Sequence, residues 1–127
     1  MPARRRIDPA AGEQAVAAWE AARAGGADPA PEVSRQELAT AVRYLLEELV
    51  ERAPGRSVEV RIPPYAAAQV IEGPRHTRGT PTNVVETDPQ TWLELGTGRT
   101  TWAEATATGA VRASGQRADL TAYLPLR

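Results

Sequence analysis

Leu38, Val42, Leu45 and Leu49 recur at helical spacing in "SRQELATAVRYLLEELVER", and Ser34 with Glu37 forms a capping-box pattern ahead of them. The segment is predicted as a helix that buries one face. Upstream, Pro9 to Arg23 is alanine-rich with Val16 and Trp19 three apart, which predicts another helix, followed by a short connection at "GGADPAP". After Pro54 and Gly55 the period changes from helical to alternating. "SVEVRI" places Val58, Val60 and Ile62 on one face of a strand and Glu59 and Arg61 on the other.

"PPYAAAQVIEG" follows as a turn and a second strand in which Ala66, Ala68 and Val70 share one parity. Alanine fills little volume on a strand, so this face either touches a helix closely or leaves space for something else. "TNVVET" is a third strand, and Asp88 with Pro89 opens a helix through Leu95 as N-cap and first-turn residue. Thr101 and Glu104 repeat the capping-box pattern before a short helix from Trp102 to Thr108, closed by Gly109. "AVRASG" reads as a brief strand, and Ala118 to Leu124 as a final helix stopped near Pro125. Strands and helices are therefore grouped, which predicts an α+β fold with one small, largely antiparallel sheet covered by helices. Residues 1–31 form an arm and helix, residues 32–127 the main domain, and the whole is expected to be one compact unit.

Composition narrows the function. With 15 basic and 16 acidic residues among 127, and a net charge of -1, the chain lacks the global field of a nucleic-acid or membrane-surface binder. Every basic residue is arginine, which fits the coding bias of a GC-rich genome, so a single arginine carries little weight. "PARRR" is a short basic arm without a reader motif, and no nucleic-acid partner is expected. No segment approaches the length of a membrane span, the amino terminus does not read as a secretory signal, and the absence of cysteine fits a reducing cytoplasm.

Without cysteine and with one histidine, the chain offers no thiolate nucleophile and no multi-histidine metal site. No cofactor or metal is implied. The two glycines of "GTGR" lack the lysine and the strand–glycine–helix setting of a phosphate loop. In "EGPRHTRGTPTNVVETDP", Arg75, His76 and Arg78 lie close together beside threonines and Gly79. They could hold a carboxylate or phosphate through charge-assisted hydrogen bonds, although a solvated loop between strands has the same composition. His76 has no recognisable triad spacing around it, so no catalytic residue is assigned.

The carboxy-terminal third, "TDPQTWLELGTGRTTWAEATATGAVRASGQRADLTAYLPL", resembles the end of the sterol carrier protein 2 (SCP2) fold. An aspartate-led helix, a glycine turn, a short helix, a strand ending in "SG" and a last helix follow one another there. With the upstream elements, the resemblance covers about Glu32 to Leu126. The chain is similar to stand-alone bacterial, actinobacterial, sterol-carrier-like proteins, and its tail resembles the carboxy-terminal domain of mycothiol-dependent maleylpyruvate isomerases. Two features depart from the family pattern: Gly115 is followed by Gln116 instead of aspartate, and "LPLR" is not a peroxisomal address.

The resemblance implies a non-catalytic lipid carrier with a hydrophobic tunnel that takes fatty acids, acyl-CoA or sterols, and because bacteria rarely make sterols a fatty acid or acyl-CoA is the expected cargo. Its walls would include Trp92, Leu93, Trp102, Val111, Leu120, Tyr123 and Leu124; the cluster of Arg75, His76 and Arg78, read from the residues themselves, would then be a head-group site at its mouth. Leucines and aromatics at helical spacing are more often ordinary core. The alternative reading is a protein–protein interaction or accessory domain without a lipid, for which a second copy of the chain is one candidate partner.

Overall fold

A computed structural model describes residues 6–24, 32–74 and 83–127. Helix α1 runs Pro9–Ala24 and α2 Arg35–Arg52; strands β1 Val58–Ile62, β2 Ala66–Val70 and β3 Val84–Thr87 follow. Helices α3 Pro89–Gly96 and α4 Trp102–Ala107, strand β4 Val111–Ser114 and a 3-10 turn at Thr121–Tyr123 complete the order. The expected α+β class is what the chain adopts.

The caps form as the sequence predicts. Ser34 Oγ accepts from Glu37 N at 3.1 Å while the Glu37 carboxylate reaches back to the Ser34 N–H, closing a capping box on α2. Asp88 accepts from Thr91 N at 2.6 Å ahead of Pro89, and Thr101 accepts from Glu104 N at 3.1 Å. Each cap satisfies an N–H that the helix cannot pair internally.

The sheet order is β2-β1-β3-β4. β1 and β2 form an antiparallel hairpin, pairing Val58 with Val70 and Ile62 with Ala66; β3 and β4 are also antiparallel, with Thr87 opposite Val111. β1 and β3 run parallel, Val60 opposite Val85, so the sheet is mixed. Asn83 fixes this junction: its amide donates to Ser57 O at 3.0 Å, its carbonyl oxygen accepts from Arg117 N at 2.9 Å, and its backbone oxygen accepts from Glu59 N at 3.0 Å. Asn83 is buried, and these bonds remove most of the desolvation cost that an unpaired amide would carry there.

The predicted parity of β1 holds. Val58, Val60 and Ile62 are buried, while Glu59 and Arg61 point outward and pair with each other. On the same outer face Arg112 and Glu86 pair at 2.6 Å across β3 and β4. α2 is the central element, packed by α1, α3 and β2. Tyr44 lies against Gly12 of α1, and Leu45 against Gly96 of α3, where the missing side chains admit close approach.

The expected final helix is corrected. Between Ala118 and Leu124 only Thr121–Tyr123 is helical, as a 3-10 turn. Asp119 accepts from both Thr121 N and Thr121 Oγ1, at 2.8 and 2.6 Å, a local turn that competes with an α-helix and holds its carboxyl below the ordinary range. Leu124, ahead of Pro125, is extended because the proline ring disfavours the helical region in the residue before it.

Candidate functional site

Arg43, Leu46, Glu47 and Val50 lie at i, i+3, i+4 and i+7 on α2, so their side chains form one stripe along the helix. This stripe faces the alanine strand. Together with Arg6, Ile7, Tyr65, Ala66, Ala67 and Ala68 it lines a half-open cleft of about 640 Å³. The volume falls in the range of about 300–1,000 Å³ typical of small-molecule sites.

The cleft exists because the two ends of β2 carry different side chains. Val70 is fully buried and fills its place in the core, whereas Ala66 and Ala68, of the same parity, remain half-buried. A methyl group reaches only a short way toward α2. Where a valine or leucine would close the gap, the alanines leave it open, and Leu46 and Val50 on the helix side remain available as an apolar wall. Of the two alternatives that an alanine face allows, this end of the strand leaves space.

Charges sit at the rim. The Arg43 Nε–H donates to Tyr65 O at 3.0 Å, which fixes the guanidinium beside the cleft. Arg43 makes no other hydrogen bond or ion pair among the described residues. Glu47 is engaged differently: its carboxylate accepts the backbone N–H of Arg6 at 2.8 Å and that of Ile7 at 2.8 Å, holding the segment before α1 across one end of the cleft. Ile7 thereby adds an apolar side chain to the lining.

The residues singled out from the sequence occupy other places. Trp92, Leu93, Val111 and Leu120 are at most 3% exposed and belong to the packed core. The Trp92 indole N–H donates to Val42 O at 3.1 Å, tying α3 to α2. Trp102, Tyr123 and Leu124 are half-buried against the same core. The structure thus brings the seven together around one core, and none of them lines the cleft. Arg75, His76 and Arg78 lie outside the described residues.

Sequence reading did not pick out the cleft stripe, because Arg43 and Glu47 interrupt its apolar character and mark it as a solvated face. The signal that could have found it was the alanine run opposite. A second polar cluster joins the termini of the fold: Tyr44 Oη–H donates to Glu13 at 2.6 Å, and Arg127 pairs with Glu13 at 2.7 Å and with Glu48 at 3.5 Å. It ties the carboxy-terminal residue to α1 and α2 and has no cleft beside it in the lining described. Among the described residues no three His, Cys, Asp or Glu side chains are grouped to hold a metal ion, and no helix is long and apolar enough to cross a membrane.

Comparison with known proteins gives one family: the one described as bacterial SCP ortholog matches residues 34–126. No curated protein matches the chain. The matched span contains α2, the whole sheet and every cleft residue except Arg6 and Ile7.

Proposed function

The chain belongs to the bacterial SCP ortholog family, and from that premise we propose that it is a non-catalytic lipid carrier of the cytoplasm. It would hold a fatty acyl chain or a similar apolar ligand in the cleft between α2 and β2. The observation that carries this reading is the alanine end of β2, which faces Leu46 and Val50 and leaves about 640 Å³ beside the buried core. Burying an acyl chain there is driven by roughly 25 cal/mol per Å² of apolar surface removed from water. In this reading Trp92, Leu93, Trp102, Val111, Leu120, Tyr123 and Leu124 form the framework that holds α2 and the sheet apart.

Among the described residues along the cleft, none pairs a nucleophile with a base. Its one carboxylate, Glu47, is occupied by two backbone N–H groups, and its other side chains are aliphatic, arginine or tyrosine. That supports carriage over catalysis.

Two measurements test the proposal. Each methylene fully buried contributes up to about 0.8 kcal/mol, close to fourfold in affinity, so fatty-acid affinity should climb with chain length and level off when the cleft is full. Ala68→Trp should fill the space and remove binding while circular dichroism shows the fold intact. Undiminished binding in that variant would place the ligand elsewhere.

A further inference from the structure

A cleft walled by aliphatic side chains selects for apolar bulk but does not orient what enters. Orientation requires a polar group fixed at one end, and only a few side chains on the cleft have that character. Among the described residues, Arg6, Arg43, Glu47 and Tyr65 are the polar or charged members of the lining. Glu47 already accepts two backbone N–H groups, and it makes no ion pair with Arg43 one turn earlier on α2. Its negative charge is therefore committed to the segment before α1. What the rim offers a ligand is cationic.

Of the two arginines, Arg43 is the one held in place. It projects from the middle of α2, a helix closed by a capping box, and its Nε–H is anchored on Tyr65 O at the start of β2. Anchoring through Nε leaves the two terminal nitrogens, with four N–H donors, without a partner among the described residues. A guanidinium held by one edge presents its remaining donors in a fixed fork, the geometry that matches the two oxygens of a carboxylate. From this fork the aliphatic wall continues along the same stripe, through Leu46 to Val50, with Ala66 and Ala68 opposite. An anionic head and an apolar tail thus meet complementary surfaces in the order in which an acyl chain presents them.

We propose that Arg43 is the head-group anchor of this cleft and that the ligand is a free fatty acid bound as its carboxylate. The inference rests on the carrier reading above and adds to it the residue that recognises the head group and the charge state in which that head group is bound. Arg43 is exposed, so water competes for its donors and the ion pair adds a moderate increment to an affinity set mainly by the tail. It decides which end of the ligand lies where, and discriminates acid from alcohol.

The test compares two ligands of equal chain length. Decanoate and decanol are titrated against the neutral fluorophore N-phenylnaphthylamine bound to the intact protein, at low ionic strength and neutral pH. With wild type, decanoate should displace the probe at a concentration roughly fivefold lower than decanol, the size expected of one partly exposed charge pair. In Arg43→Gln the ratio should fall to about one through loss of decanoate affinity alone, with decanol unchanged. Arg43→Lys, which keeps the charge but not the fork, should retain part of the preference. It also provides a second folded variant should Arg43→Gln lose the fold.

A preference for decanoate that survives both substitutions would overturn the assignment to Arg43. Equal loss of both ligands in folded Arg43→Gln would overturn it too, since the residue would then shape the cleft without reading charge. If wild type took up neither probe nor ligand, the carrier reading itself would fall, and the anchor with it. Tighter displacement by dodecyl phosphate than by laurate, lost in Arg43→Gln, would overturn the carboxylate in favour of a phosphate head group.

Discussion

Gly12 lies on α1 where a Cβ would fall 2.3 Å from Cγ and Cδ1 of the Tyr44 ring. Alanine is the better helix former by about 1 kcal/mol, so propensity alone would favour Gly12→Ala. Sterics decide otherwise, because the ring is buried and its hydroxyl is tied to Glu13 at 2.6 Å. We expect Gly12→Ala to destabilise the protein by about 1–3 kcal/mol net, read as a lower urea midpoint with an unchanged slope. The same tyrosine gives a pH dependence. The hydrogen bond to Glu13, then burial, then the charge of Glu48 raise its pKa above the ordinary value near 10. The folded state therefore holds the phenolic proton more tightly than the unfolded state. This contribution is complete below about pH 10 and is lost as pH rises through the folded pKa. Stability measured by denaturation should fall more steeply above pH 10 in wild type than in Tyr44→Phe. At this scale the sequence shows that Tyr44 is on a helix but not that Glu13 and Arg127 converge on it, since these contacts join distant parts of the chain.

The elements divide by the range of the interactions that make them. Capping boxes, the Asp88–Pro89 start and the strand parity of Val58, Val60 and Ile62 depend on residues a few positions apart, and these features are legible in the sequence. The last segment shows the limit of that legibility: its residues tolerate a helix, but the Asp119–Thr121 turn and the Leu124–Pro125 step leave room for a single 3-10 turn. Glu47 belongs to the illegible class. As a helix residue four positions after Arg43 it suggests an i,i+4 ion pair, yet it binds the backbone of Arg6 and Ile7 instead. Replacing it should release that segment without unfolding α2. In Glu47→Ala we expect the amide of Ile7 to exchange with solvent at least about tenfold faster while Leu45 and Leu49 stay protected, as hydrogen exchange by NMR would report.

In the whole molecule, the proposed function rests on the space left where the alanine end of β2 faces α2. Local patterns show that the chain has helices, a small sheet and an alanine-rich strand, but not that β1 and β3 are parallel or that α2 lies against β2. The cleft arises from that last contact and could not be placed without it. The apolar residues of the carboxy-terminal third stand out in the sequence because they are large, and the fold uses Trp92, Leu93, Val111 and Leu120 to fill its core. Space is left where side chains are small. The family match over residues 34–126 supports a carrier-type domain, and the cleft beside small residues supports the proposed placement of its ligand. The most direct test is NMR of uniformly labelled protein titrated with decanoate, following methyl and amide signals. Saturable shifts and intermolecular contacts are expected at Leu46, Val50, Ala66 and Ala68, with Leu93, Val111 and Leu120 unmoved. Contacts confined to that core set, or no saturable shift at the cleft, would contradict it.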